Sequence, residues 1–591
     1  MGNTELPAVP SEGLIPLDYV DIAVRVVDTS GVVDLLAEWD AADRAEKNAG
    51  GRPAHITVRS ALIMFVLTGL VHHHLHIRSA SEILRYRLAG KAWNTVGIEM
   101  KKWDTRSNTA WYNRLWRTLR YRVRDVIDPF PETPHWRRLT KQEYAKLEAS
   151  RDPEFVNSRH ARTAIFMSRL AYASASVLNE NMFDGWNGDI AIDGTPIEVT
   201  GYGNTKRSQR VPSTPEAGWY IREGDHFGDG VHGVESLKKS AWAFEATAVV
   251  AVGGQFGNGL PAPVVGLSMD RPGHRPAYNA RAALAHLEKT SKARGYAVTD
   301  MAYYPMSKPE NYQIPMREKG WKLVGETPNK QGAKGVAAAY RGAVLVDGTA
   351  YCPAMAKRKD LLDPKGELDR GKITEEQFAL AVEQRKNYQL DVKEVTSDGS
   401  VRLTCPALSG KVLCPLRQGD TKAQAAAVKK GAAGLPALPL TPKQVPKQNE
   451  CGDVCKKKSV TIGLNDPDAK RFNKYHQQGP AAYTDEWKAL FKVYRARNEA
   501  ANAFIKAESS IGVGDRTKKG IRGFTGVALR TALAVVVANV RLYVSHLKRR
   551  RDGELPEPPN PGGRPPRKKQ AIDFVDLAGA NAPPEPHHKA A

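Results

Sequence analysis

Between Trp186 and Gly325 the hydrophobic pattern sets out three strand-like runs in succession, then helix, strand, helix and strand. The first three runs are Gly188–Ile192, Ala241–Val252 and Ala262–Met269. A helix over Ala280–Lys292, a strand over Gly295–Thr299, a further short helix and a strand over Trp321–Gly325 complete the order. Two of the runs end in an acid, as Ile192-Asp193-Gly194 and Thr299-Asp300-Met301. In α/β sheets polar sites gather beyond the carboxyl ends of the strands, which is where both aspartates are expected.

This element order is that of an α/β protein with a ribonuclease H-like core, a mixed sheet with flanking helices. A third acid joins the two aspartates. Glu499 lies on a helix expected over Asp485–Ser509, and Arg495, Glu499, Asn502 and Lys506 are spaced four, three and four apart. That spacing places them on one helical face. Three carboxylates from two strands and one helix suit two Mg²⁺ (or Mn²⁺) ions that cut or join phosphodiesters, with Arg495, Asn502 and Lys506 set to contact DNA. The plainer reading of each piece alone is a strand-end turn for Asp193-Gly194 and an ion-paired surface helix for Glu499.

Charge favours the first reading. The 591 residues carry 87 Lys and Arg against 64 Asp and Glu, a formal charge of +23. Such an excess fits a polyanionic partner, because neutralised phosphates release counterions. The length implies two to four domains. Five cysteines are too few for a disulfide framework, and the N-terminus has no secretory pattern. Ser60–Leu70 is too short to span a bilayer, and Val527–Leu547 carries Arg530 and Arg541, so both read as buried core helices. The chain reads as cytoplasmic and nucleoid-associated.

Seven segments follow. Residues 1–19 form a leader and 20–150 an all-helical DNA-binding domain. Residues 151–185 are a helical connector, and 186–341 the first part of the core. An insertion domain spans 342–470, the C-terminal core helices 471–547, and a basic, Pro-rich, disordered tail 548–591. In the N-terminal domain His72, His73, His74 and His76 read as a polar helix end. Beyond them, Lys101, Lys102, Arg106, Arg114, Arg117, Arg120, Arg122 and Arg124 interleave with Trp103, Trp111, Tyr112, Trp116 and Tyr121. Tyr112, Leu115, Trp116, Leu119 and Val123 form an apolar stripe, leaving Arg114, Arg117 and Arg124 for the DNA backbone.

The insertion holds every cysteine. Cys451-x3-Cys455 has zinc-knuckle spacing and Cys405-x8-Cys414 a wider one, so four thiolates are candidates for a structural Zn²⁺, with reduced buried thiols as the alternative. Thr421–Gln448 has linker composition. In the tail, Gly563-Arg564-Pro565 flanked by cations has the make-up of a minor-groove hook, although a solubilising tail is the simpler reading.

With these motifs in place, the chain resembles the bacterial DDE insertion-sequence transposases. The resemblance rests on Ile192-Asp193-Gly194-Thr195, on Val298-Thr299-Asp300-Met301-Ala302-Tyr303, and on Arg495-x3-Glu499-x6-Lys506 within a Tyr-x2-Arg-x3-Glu-x6-Lys signature. Lys492 stands where the signature has tyrosine, and Tyr494 lies two residues later. The resemblance implies Asp193, Asp300 and Glu499 as catalytic metal ligands. It also implies double-stranded DNA as substrate, cleavage and strand transfer at the ends of a mobile element, and a homodimer or higher assembly on DNA. An inactive DNA-binding descendant, or a ribonuclease H-like nuclease that cuts without joining, are the alternatives.

Overall fold

The computed structural model describes residues 13–44, 55–99, 106–134, 137–177, 183–223, 238–253, 260–327, 335–434, 436–507, 510–514 and 522–554. Lys101, Lys102 and Trp103, the tail motif around Arg564 and most of the 1–19 leader lie outside these residues.

The protein is a mixed α/β molecule. An N-terminal helical region precedes a mixed six-stranded sheet with flanking helices, and smaller sheets follow. The main strands are β1 (Ile190–Glu198), β2 (Gly218–Glu223), β3 (Lys238–Ala251), β4 (Val264–Asp270), β5 (Tyr296–Thr299) and β6 (Lys322–Val324). Their order is β2-β3-β1-β5-β6, with β4 also on β3. β3 is long enough to pair twice along one edge, with β2 opposite Lys238–Ala243 and β4 opposite Glu245–Val250. β1 runs antiparallel to β3, and β5 and β6 run parallel to β1.

The six helices used below are α1 (Val58–His72), α2 (Asn108–Thr118), α3 (Pro153–Ser176), α4 (Pro276–Thr290), α5 (Asp485–Lys506) and α6 (Phe524–Arg551). Both sheet faces are covered, which explains why β4 is buried at all seven positions. On one face Ile190, Ile192, Val249 and Val265 pack with Ala280, Ala283 and Leu284 of α4. On the other, Ala191, Ile197, Phe244 and Ala248 belong to a core with Leu490, Tyr494 and Ile505 of α5 and the apolar run of α6.

α1 is apolar all round because every residue from Ser60 to Leu70 is buried. α6 is long and apolar enough to cross a bilayer, yet 83% of its most apolar window is buried inside the protein. Its Asn539 explains one polar position in that run. The side chain accepts from Val264 N (3.0 Å) and donates to Val264 O (2.8 Å), Ala171 O (3.1 Å) and Ser174 Oγ (2.9 Å). One buried amide therefore joins α6, α3 and the start of β4.

Several expectations need correction. β1 continues through Asp193 to Glu198, so Asp193 is not a strand terminus; only its parallel pairing with β5 ends there, at Ile192 opposite Thr299. β2 has no counterpart among the expected strands. The 151–185 connector contains the 24-residue α3, packed against β4 as part of the core. The 421–448 linker contains a helix at Thr421–Ala432, capped by Asp420. Lys548–Arg551, assigned to the disordered tail, form the last turn of α6. In α2 the buried stripe is Trp111, Leu115 and Thr118, so Tyr112 and Trp116 face solvent.

The inserted segment has its own core, from Ala337 to Tyr475, slightly wider than the expected 342–470. It docks at the β6 edge. Gln478 brackets Leu323 with two bonds, N to Leu323 O at 2.9 Å and Oε1 from Leu323 N at 3.0 Å. The buried Arg317 reaches Asn473 Oδ1 (2.8 Å) and Gly399 O (2.9 Å).

Replacing Asn539 by Leu should strand the Val264 amide in an apolar core, while the Ala171 carbonyl keeps the Ser174 hydroxyl as a partner. The expected loss is about 3 kcal/mol in chemical denaturation, with β4 and α3 affected first. A loss below about 0.5 kcal/mol contradicts this role.

Candidate functional site

The sequence brings the three acids together through backbone pairing and one helix. Ile192 and Thr299 are parallel partners, so Asp193 and Asp300 follow side by side. Asp193 lies opposite Ala248 of β3, and the Ala248 carbonyl accepts from Asn498 Nδ2 of α5 at 3.5 Å. α5 thus crosses the sheet where the aspartates sit. Arg495 stands between the other two acids, 3.6 Å from Asp300 Oδ1 and 3.7 Å from Glu499 Oε1. Glu499 is the most open member, with 62% of its side chain exposed.

A single carboxylate sets this alignment. Asp189, at the foot of β1, accepts from Tyr494 Oη at 2.6 Å, from Asn187 Nδ2 at 2.9 Å and from the Tyr296 amide at 2.8 Å. Those contacts tie together β1, β5 and α5 four or five residues before Asp193, Asp300 and Glu499 respectively. Gly295 is required beside it, because a Cβ there would lie 2.1 Å from Asp189 Oδ1. Tyr494 is the residue displaced from the expected signature position; its hydroxyl is an anchor. Sequence reasoning missed this pair, and missed Asn498, although Tyr494, Asn498 and Asn502 recur on one helical face.

Asn502, expected at the DNA, is buried instead and points inward. Its Nδ2 donates to Asn498 Oδ1 at 3.0 Å and to Asp193 Oδ2 at 3.5 Å, and its buried Oδ1 has no hydrogen-bond partner. Lys506 is half-buried in the last turn of α5. On the far side of β1, Gly194 admits the Glu245 carboxyl and the Tyr303 hydroxyl, which a Cβ would meet at 2.3 and 3.1 Å. Burial raises the pKa of both, Tyr303 the more strongly. Glu245 was not singled out from the sequence, and Tyr303 entered only as the last residue of the motif around Asp300.

Burial, and next the Asp300 charge, push the Asp193 carboxyl up to about 6; Glu499 adds to the rise, while the Gly194 amide and Arg495 oppose it. Crowded carboxylates of this kind are relieved by a cation. As placed, no three His, Cys, Asp or Glu side chains among the described residues enclose a metal ion. The oxygen donors nevertheless suit a hard divalent cation, three carboxylates and the unpartnered Asn502 oxygen, and the Arg495 guanidinium already supplies positive charge between two of the acids.

In the N-terminal region Arg117 is exposed beside Tyr112, Trp116 and Tyr121, with Trp116 edge-on to Tyr121. Arg114 folds back over the Trp111 ring and bonds the Ala110 carbonyl at 3.2 Å. Arg124 turns inward to donate to the Arg522 carbonyl at 3.0 Å, and burial lowers its pKa. His72, His74 and His76 stack on one another past the end of α1. No protein-family model, curated protein or solved structure matches the chain.

Two outcomes follow. The folded protein holds the Asp193 proton more tightly than the unfolded chain, so that stabilising term is present below about pH 4 and disappears as pH climbs through about 6. Relative to Asp193→Asn, the wild type should therefore lose up to about 3 kcal/mol between about pH 4 and pH 7, read by urea unfolding. A difference that stays flat with pH contradicts the buried acid. Tyr494→Phe removes a hydrogen bond to a carboxylate and should cost about 2 kcal/mol by the same measurement; an unchanged midpoint removes the anchor.

Proposed function

We propose that the protein is a DNA transposase of the DDE type, with a ribonuclease H-like core that cuts and rejoins phosphodiesters with divalent cations. The observation that carries this reading is the convergence of Asp193 and Asp300, each one residue past the parallel pair Ile192–Thr299, with Glu499 across Arg495. The strand order supports it: antiparallel β4, β3 and β1 followed by parallel β5 and β6 is the arrangement expected of that core, with β2 an addition on β3.

Asp193, Asp300 and Glu499 would hold Mg²⁺ or Mn²⁺, which activates the attacking oxygen and stabilises the leaving one. Asn502 orients the Asp193 carboxylate. Asp189 and Tyr494 keep α5 in register with the strands. In the free protein Arg495 shields Asp300 from Glu499, and on DNA its guanidinium is placed to take a phosphate beside the acids. Water, and then a freed 3′-hydroxyl, would be the nucleophiles. Exposed Arg117 with Trp116 and Tyr121 offers a sequence-independent backbone contact. The net charge of +23 favours double-stranded DNA as partner and a nucleoid-associated cytoplasmic location. Joining two ends calls for at least two copies.

The test uses DNA carrying both flanks of the gene, incubated with protein and Mg²⁺ or Mn²⁺. Nicked and joined products are expected from the wild type. Asp193→Ala, Asp300→Ala and Glu499→Ala should each lower both by at least about 1,000-fold, in line with loss of an electrostatic catalytic group. Nicks without joining support a nuclease. DNA shifts without cleavage support a binding protein. Full activity in all three variants refutes the site.

A further inference from the structure

The sheet face that carries Asp193 continues well beyond the acids. Asp193 stands opposite Ala248 of β3, and Ala248, Ala246, Phe244 and Trp242 alternate along that strand, so all share its face. Six residues from Ala248, about 20 Å along the strand, Trp242 pairs with Trp219 of β2. Their rings meet edge to face at 5.5 Å. There the face opens into a cavity of about 590 Å³ walled by both tryptophans, Tyr144, Lys141, Lys206 and Arg271. Among the described residues Glu148 is its only acid.

The aromatic groups at this edge are exposed but fixed. Trp219 is 44% exposed, yet its Nε1 donates to the Asn204 carbonyl at 3.1 Å, and a Cβ on Gly203 would lie 2.4 Å from its ring. Tyr202, beside that glycine, is 85% exposed. Ile221, on the same face of β2 as Trp219, is also open to solvent.

The cations around these rings keep their charge. Lys141 Nζ donates to the carbonyls of Thr205 (3.0 Å) and Lys206 (3.4 Å), and Arg138 Nε to Val211 O (2.8 Å). Arg210 donates to Arg138 O (2.8 Å) and Arg271 Nε to Glu216 O (3.2 Å). With the bridge between Thr140 and Arg210, these bonds pin the 200–217 segment to the helix at Lys141–Ala149. Carbonyls orient the cations without cancelling them. Among the described residues none of Arg138, Lys141, Lys206, Arg207, Arg210 and Arg271 is ion-paired. Arg271 also links this surface to the acids. It begins the turn whose Gly273 amide donates to Glu245 Oε2 at 2.8 Å, and Glu245 packs against Gly194 beside Asp193.

We propose that this surface binds an unpaired DNA strand, with bases stacked on Trp219 and Tyr202 and phosphates on Lys206, Arg207 and Arg271. Cations interleaved with open aromatic rings suit a single strand, because every unpaired base offers a ring face whereas a duplex keeps its bases stacked inside. A cut at the acids would supply such a strand on this side of the sheet, and to that extent the proposal rests on the transposase reading.

The experiment follows the fluorescence anisotropy of a labelled oligothymidylate of about 16 nucleotides, the upper site size of a single-strand-binding fold. It uses the full-length protein in EDTA, beside a duplex of equal length. Trp219→Ala and Tyr202→Ala should each weaken strand binding about tenfold, as loss of one stacked base does, and leave duplex binding within about twofold. Trp219→Phe should restore most of the affinity. Lys206→Gln combined with Arg207→Gln should flatten the slope of log affinity against log salt by about 1.4, since each neutralised strand phosphate contributes about 0.7. Tyr202 stands in solvent, so Tyr202→Ala reads the site even if Trp219→Ala misfolds. Strand affinity unchanged in both alanine variants overturns the proposal, as does a wild type that holds only the duplex. Self-association that Trp219→Ala abolishes while strand binding persists also overturns it, and gives the surface to a second copy of the chain. No cleavage is read in EDTA, so a failure of the transposase reading leaves this outcome standing.

Discussion

The carboxylate of Asp189 is the point on which the arrangement of the acids depends. It joins β1 to the amide of Tyr296 in β5 and to the hydroxyl of Tyr494 in α5. From there, four residues of strand carry the chain about 13 Å to Asp193 and Asp300, while five residues of helix carry it about 7.5 Å to Glu499. A slip of one residue in either strand would turn its aspartate to the opposite face. A rotation of α5 would take Glu499 and Arg495 away together. Two hydrogen bonds to one carboxylate thus fix a constellation drawn from segments about 300 residues apart.

The rest of the fold protects that alignment. The apolar helices α1 and α6 sit behind the sheet, and Gly69 of α1 lies so close to Val537 of α6 that a Cβ would meet it at 2.8 Å. α4 covers the other face, leaving the aspartates partly buried at the lip. That desolvation makes the site costly without a cation, and it raises the Asp193 carboxyl. The inserted segment attaches at the β6 edge through Gln478 and Arg317. Its own strands form separate small sheets, so the hydrogen-bonded core of the main sheet is left undivided.

Much of this was legible because buried strands write their burial into the sequence. The runs ending at Asp193 and Asp300 have few polar residues, and the helix between them is rich in alanine. β2 was not legible, since Trp219-Tyr220-Ile221 is a short run whose pairing depends on the unforeseen length of β3. In α2 the two candidate stripes share Leu115 and Leu119, so pattern alone could not choose Trp111 over Tyr112 and Trp116. The helix at Thr421–Ala432 was hidden by the Pro-rich residues after it, although Asp420 before an Ala/Lys run is a helix start. The role of Tyr494 could not be read locally, because Asp189 is 305 positions away. Asn502 was placed on the correct face but assigned to DNA, whereas its amide faces Asp193.

The central claim is that Asp193, Asp300 and Glu499 together hold divalent cations. Electron paramagnetic resonance of Mn²⁺ titrated into DNA-free protein tests it most directly. The account predicts bound Mn²⁺ that is lost in Asp193→Ala and Asp300→Ala, weakened in Glu499→Ala, and unchanged in Arg117→Ala. Equal Mn²⁺ binding by the wild type, Asp193→Ala and Asp300→Ala would contradict it.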